Sequence, residues 1–466
     1  MFFLITNKLK SISRNSYCQN QVINSLLPAF LLVLILLINL IGSLIVLFKY
    51  DFPLGVDGFY YTVQITAFLE KGSFYYPTST PVVLYLAVSL CKLGVEPVSA
   101  MKILSSLLYL VLILAVYLNI REATENKWTG LAGACIIAAS VLRWSWIIEF
   151  VSNLGGIAFL LCGIYCLVKK SKNKVWLVPG VIFLIAAVFS HKSILPLSFL
   201  IFLSYAAFYV LAKSIGSRLF PVFLFFLISI GFLYPLIFTI YPFNSFFPAI
   251  SENVSFNPNS PLFIKGYFEE KFILLILSPV SFFISLWNWK LSKNLALSNG
   301  QISILAIFVM FNPFLTHTEI IITIADRLLL LMHVQIAFLF AFTTHLIAVD
   351  IKSKILITAS ILVLLLLGNG NEIKGNDKRF LTQRQNLIIN LEKFKETIPK
   401  QSVIIAPHGY QFLITSVLEI PSQRLLSNER YPVYWLIFGV PCDKADKKST
   451  IVSVEGRLCT VIVENG

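Results

Sequence analysis

The residue best placed to do chemistry is Asp57, in the stretch Gly55-Val56-Asp57-Gly58-Phe59-Tyr60-Tyr61 that follows the first long apolar segment. A carboxylate held at a membrane border can take a proton from an attacking hydroxyl or share in binding a divalent cation. The same residue has a plainer reading. Gly55 and Gly58 favour a tight turn, and Phe59, Tyr60, Val63, Ala67 and Phe68 then recur at helical spacing, as on a helix lying along a membrane surface. Asp57 would sit at or near the start of that helix, where aspartate is a common N-cap. Both readings stand at the level of sequence.

Other groups have chemical potential. Arg327 follows Asp326 and opens an apolar run. Its planar fork suits phosphate oxygens, and its plain role is a snorkelling anchor or a pair with Asp326. His191-Lys192 lies between two apolar runs, where His can ligate a metal or move a proton and Lys can hold a phosphate. Ordinary loop polarity is the alternative. His317, Glu319 and His333 fall near one end of a late apolar run, and ionisable groups inside such runs are often functional. Asp57, His191, His317 and His333 are therefore the candidates for a divalent metal, although no spacing among them is diagnostic. Arg143 and Glu149 flank Trp144 and Trp146, a belt-like pattern. Their six-residue spacing keeps the two charges off one helical face, which reads as structural. No P-loop, dinucleotide fingerprint, HExxH or GxSxG pattern falls in a supporting context.

The elements that must position these groups are hydrophobic helices. The chain of 466 residues is 57% hydrophobic and only 13% charged, against roughly 25% charged in soluble domains. Windows of about 20 nearly uncharged residues can each cross a bilayer as a helix. The candidate spans are 23–48, 100–120, 128–142, 152–168, 175–190, 194–212, 219–240, 271–288, 298–315, 327–348 and 355–368. The segment before residue 23 has no signal-peptide pattern and reads as a cytoplasmic N-terminus (1–22) before an uncleaved first span. A net charge of +14 comes from basic loops between spans, which argues for the positive-inside rule and against nucleic acid.

Charge also arbitrates topology. Lys8/Lys10/Arg14, Arg121/Lys127, Lys169 to Lys174, Lys213/Arg218, Lys290/Lys293 and Lys352/Lys354 all face the cytoplasm only if the short run 81–95 does not cross. That run is expected to lie at or dip into the outer surface. About 11 spans result, forming a transmembrane domain over 23–368 with a first extracytoplasmic loop at 49–99. The expected location is a bacterial inner membrane. Residues 369–466 shift to polar, mixed-charge composition. Leu387, Ile388, Leu391 and Phe394 show helical spacing, while 403–406, 450–454 and 458–463 read as strands. The fold class is therefore an all-α polytopic membrane protein with a small C-terminal extracytoplasmic α/β domain. In an oxidising tail, Cys442 and Cys459 could pair.

An uncharged first span followed by an outer loop with Asp57-Gly58-Phe59-Tyr60-Tyr61 resembles the GT-C superfamily of membrane glycosyltransferases. Its members include protein O-mannosyltransferases and lipid A aminoarabinose transferases. Pro81-Val82-Val83-Leu84-Tyr85-Leu86 is similar to the family's Pro-Pro-Leu-Tyr-Tyr segment, and Arg327-Leu328-Leu329-Leu330 resembles the outer opening of a late span. Many members carry two adjacent acids in this loop; here Asp57 is followed by Gly58. The resemblance implies transfer of a sugar from a polyprenyl-phosphate donor to a lipid, glycan or protein acceptor on the non-cytoplasmic face. It implies Asp57 as the catalytic acid or metal partner, and Arg327 and Lys192 as phosphate ligands. Tyr60 and Tyr61 would stack on sugar faces. Two rivals remain: a transporter or lipid-linked saccharide flippase without covalent chemistry, and a scaffold presenting the tail.

Overall fold

Helices follow the apolar runs. The computed structural model describes residues 26–76, 78, 81–140, 143–170, 173–191, 194–214, 264–289, 292–310, 331–347, 387–392, 395, 403–405, 410–418, 422–423, 433–441, 449–455 and 458–465. The helices are α1 (Leu27–Leu47), α2 (Val56–Lys71), α3 (Val82–Lys92), α4 (Pro97–Thr124), α5 (Lys127–Ala139), α6 (Arg143–Ile148), α7 (Val151–Lys170), α8 (Leu177–Ser190), α9 (Ile194–Ser214), α10 (Ile264–Asn288), α11 (Lys293–Met310) and α12 (Met332–Ile347). A short helix α13 (387–392) and α14 (Tyr410–Leu418) follow in the tail.

Four segments, Leu27–Leu47, Pro97–Thr124, Val151–Lys169 and Leu197–Ser214, are long and apolar enough to cross a membrane by length and composition. The chain is thus a helical integral membrane protein. The 21 residues of α1 reach about 31 Å at 1.5 Å per residue, close to the thickness of hydrocarbon. The 11 residues of α3 reach only about 16 Å. That length suits the expectation that the run 81–95 does not cross by itself. The expected spans 219–240 and 355–368 lie outside the described residues, as do parts of 298–315 and 327–348.

The chain divides into two units. The first, the bundle unit, comprises 1–41, 109–143 and 155–369. Here α5 packs on α12, and α10 on α11 and α12. Small residues let the backbones approach: a Cβ at Gly133 would collide with the Ile120 side chain. Polar side chains join the helices. Ser281 and Thr343 share a 2.7 Å hydrogen bond, and the Asn299 amide donates to Thr343 Oγ1 at 3.3 Å and to the Ser281 carbonyl at 3.3 Å. In hydrocarbon such groups must satisfy one another, since water is absent.

The second, the loop–tail unit, comprises 42–108, 144–154 and 370–466. Its sheet has the order β2-β1-β3-β5-β4, with β1 (Val403–Ile405), β2 (Ser422–Gln423), β3 (Val433–Pro441), β4 (Ser449–Glu455) and β5 (Leu458–Asn465). β1 runs parallel to β2 and β3, whereas β5 is antiparallel to both β3 and β4. β1, β4 and β5 overlap the runs read as strands at 403–406, 450–454 and 458–463. β3 was not anticipated from the sequence. Val433 to Val440 is a continuous apolar run without alternation, the pattern that periodicity separates least well from helix.

One expectation is corrected. The face of α2 containing Phe59, Val63 and Ala67 does not lie on lipid. These residues are buried in protein, and Phe59 joins a core with Leu387, Leu391, Ile404, Leu413, Ile414 and Leu418. Helical spacing announces an apolar face but not what covers it. Here the covering element comes from more than three hundred residues downstream.

Candidate active site on the first loop

The site is built around a close approach that only glycine allows. Gly55 has φ 77° and precedes α2 as its N-cap, with no side-chain cap of its own. A Cβ at Gly55 would stand 2.7 Å from both the Ile148 carbonyl oxygen and the Ile148 Cγ2, and 2.8 Å from the Glu149 carboxyl carbon. With no Cβ in the way, the segment 148–149 lies against the start of α2. The Asp57 amide then donates to Glu149 Oε2 at 3.3 Å.

This geometry revises the capping alternative. Asp57 sits in the first turn of α2 and is not its N-cap. The carboxylate that accepts an N–H at this helix end is Glu149, supplied from 92 residues away. First-turn amides lack intrahelical partners and the helix N-terminus is partially positive, so two acids there are stabilised rather than merely tolerated. Glu149 is buried; Asp57 is half-buried. Sequence reasoning gave Glu149 a structural role beside tryptophans. The available signal was an acid next to an apolar run, and nothing local tied it to Asp57.

Tyr61 anchors the same helix. Its hydroxyl donates to Ser152 Oγ at 3.1 Å and accepts from the Ser152 amide at 3.1 Å. Burial, and after it the Asp57 carboxylate, raise the phenol's pKa above its ordinary value, against the lowering effect of the Ser152 hydrogen bonds. Tyr61 is buried with its hydroxyl committed, which makes it a tether of α2 to 152 more than an open sugar platform. Tyr60 is only half-buried, and its ring lies 6.1 Å from that of Tyr76, stacked. Gln64 fixes this pair: its amide nitrogen donates to Tyr60 Oη at 3.0 Å and to the Tyr76 carbonyl at 2.9 Å, and its oxygen accepts the Tyr76 amide at 2.8 Å. Tyr75 stands more exposed beside Tyr76, ring centroids 4.8 Å apart.

Lys102 was also missed. It is buried, donates to the Tyr50 carbonyl, and sits 5.2 Å from the Phe48 ring centroid. With Pro53, Gly58, Tyr61 and Ser105 it lines a cavity of about 30 Å³. It is the sole charged residue of the run 100–120, and an ionisable group in such a run is itself a functional signal.

His191 ends α8 and His333 lies in α12, both buried in the bundle unit. Arg143 Nη1 donates to Asn39 Oδ1 at 3.4 Å within that same unit. Lys192, His317, Arg327 and Cys442 lie outside the described residues. Among the described residues, no three or more His, Cys, Asp or Glu side chains come together as a metal set.

No family model matches the chain, and no curated protein does. Partial likenesses to solved structures exist. The oligosaccharyltransferase AglB from Archaeoglobus fulgidus, solved with an inhibitory peptide and a dolichol-phosphate, is 14% identical with a TM-score of 0.48, over 85% of this chain and 65% of that one. An Archaeoglobus fulgidus oligosaccharyltransferase solved with zinc and sulfate is 13% identical with a TM-score of 0.49, over 83% and 62%. ArnT from Cupriavidus metallidurans, in the apo state, is 11% identical with a TM-score of 0.45, over 93% and 97%. The chain spans under two thirds of the length of the two archaeal proteins.

Proposed function

We propose that this protein is a membrane glycosyltransferase that moves a sugar from a polyprenyl-phosphate donor to a hydroxyl-bearing lipid, glycan or protein acceptor. The observation that carries the reading is the meeting of Asp57 with Glu149 at the N-terminus of α2. It supplies, from a distant segment, the second acid that the Asp57-Gly58 sequence lacks. The reaction suits these parts. Asp57 takes the acceptor proton as the acceptor oxygen attacks the anomeric carbon. The bond from that carbon to the phosphate oxygen breaks, and the lipid phosphate leaves with the electron pair. Glu149 holds the backbone of the first turn in place. Tyr60, Tyr75 and Tyr76 offer aromatic faces to the sugar, and Tyr61 fixes α2, which carries Tyr60.

Arg327 and Lys192 are the proposed phosphate ligands, with His191 a further contact, on the non-cytoplasmic face of a bacterial inner membrane. The divalent metal that the resemblance implies would be held by Asp57 and Glu149. Their oxygens are the donors that Mg²⁺ or Mn²⁺ takes alongside water and phosphate, and the ion would neutralise charge growing on the leaving phosphate.

The deciding experiment measures turnover of a polyprenyl-phosphate-linked sugar by the purified protein in lipid nanodiscs. Asp57→Asn is expected to lower it at least about 100-fold while the fold is kept, the scale of losing a general base. A folded Asp57→Asn protein with full activity would sink the assignment, and flux of the lipid-linked sugar without covalent product would favour the flippase.

A further inference from the structure

A long slot lies within the bundle unit. Its volume is about 210 Å³, and its walls come from α4, α7, α9, α11 and α12. Ile157 and Val168 both line it from α7. At 1.5 Å per residue these two positions stand about 16 Å apart. Such a volume drawn out over that length is narrow. That length suits a linear chain.

Its chemistry is nearly uniform. Leu160, Ile164, Leu197, Phe338 and Phe342 are typical of the wall. Among the described lining residues none is Lys, Arg or His. Glu122 lines one end, and Lys169 pairs with it at 2.6 Å, so that end carries no net charge. Gln335 differs from the other polar groups. It is 4% exposed, lines the slot, and neither of its amide atoms has a hydrogen-bond partner among the described residues. By contrast Gln301 donates to the Ile201 carbonyl, and Asn119 to the Ala115 and Leu161 carbonyls. A buried amide without partners is costly in an apolar site, and it marks where a ligand's polar atom would sit.

The ends can be ordered. His345 Nδ1 lies 3.2 Å from Thr129 Oγ1, which places the C-terminal end of α12 near the start of α5, next to the Glu122 end of α4. Gln335, ten residues earlier on α12, therefore lies toward the opposite end, about 15 Å away by helix rise.

We propose that this slot binds one acyl chain of a phospholipid. The Gln335 amide donates to the ester carbonyl, and the chain runs past Phe338 and Phe342 toward the neutralised Glu122–Lys169 pair. A neutral ester fits a wall without cations. A polyprenyl carrier has no ester, and its phosphate, which directly follows the chain, would fall at Gln335, where no described lining residue compensates its charge.

The test uses the full-length protein in nanodiscs doped with a phosphatidylethanolamine that carries a diazirine in one acyl chain. Photolysis should label peptides of α7 and α12 at the lining residues. Ile164→Trp, which fills the slot, should abolish that labelling, while Val181→Trp, on an exposed position of α8, should leave it unchanged. Gln335→Leu, a small and fold-preserving change, should weaken labelling about fivefold, the loss of one buried hydrogen bond. This second variant keeps the test decisive if Ile164→Trp does not fold. Equal labelling in the wild type, Ile164→Trp and Gln335→Leu would overturn the proposal. So would labelling of the slot by a photoactivatable polyprenyl phosphate in place of the phospholipid.

Discussion

Glu149 and Asp57 share one helix end, and their roles separate by substitution. A neutral amide keeps an acceptor for the Asp57 N–H, whereas a methyl group removes it. Glu149→Gln is therefore expected to fold normally and to lower sugar transfer at least about tenfold, within the range for groups that act on developing charge. Glu149→Ala should in addition lose about 1 kcal/mol of stability, as other lost caps do. Full transfer by Glu149→Gln would reduce Glu149 to a cap alone. Tyr61 gives a pH signature. An unfolded phenol titrates near about pH 10. In the folded protein burial, and then the Asp57 carboxylate, hold Tyr61 higher, so the folded state keeps this proton longer than the unfolded state. Its contribution to stability is intact below about pH 10 and is lost as pH rises toward the folded value. Denaturant midpoints measured from pH 8 to 11 should fall less steeply in Tyr61→Phe than in the wild type. Equal slopes would mean that the phenol is not held in this way. At this scale Asp57 was legible because glycines, an acid and aromatics stand side by side in sequence. Glu149, Lys102 and Gln64 were not, because each acts through a partner distant in the chain or through burial.

The element that carries Asp57 depends on the tail. Phe59 of α2 packs with Leu391 and Leu387 of α13 and with Leu413, Ile414 and Leu418 of α14. Leu391 is fully buried. Leu391→Ala should destabilise the loop–tail unit by about 2–5 kcal/mol, the usual cost of a cavity in a core. The expected observation is a lowered melting transition together with faster proteolysis within 56–71 as well as in the tail. A tail that loosens while α2 keeps its protection would show that the two do not stabilise each other. The apolar stripe of α2 was visible in the sequence as a period. Its partner was not, since a surface helix and a protein-covered helix carry the same stripe. β3 escaped notice for the related reason that a continuous apolar run has no period to read.

For the whole molecule, charge is the main guide to orientation. By the positive-inside rule the N-terminus is expected in the cytoplasm and residues 369–466 outside. A reporter enzyme active only outside the cytoplasm, fused after residue 466, should be active, and one fused after residue 172 should be silent. The reverse result would invert the topology and remove Asp57 from the non-cytoplasmic face. The sequence by itself determined that this is a helical membrane protein, where its apolar runs begin and end, and that Asp57 stands as an acid among glycines and aromatics after the first such run. Composition, hydropathy and local spacing carry that information because membrane insertion is decided segment by segment. Only the tertiary structure decided that Glu149 reaches the Asp57 helix, that Tyr61 is tied to Ser152, and that the tail covers α2. Each of these is a contact across 91 residues or more, and such contacts depend on how separate segments fill space together, which no local pattern records.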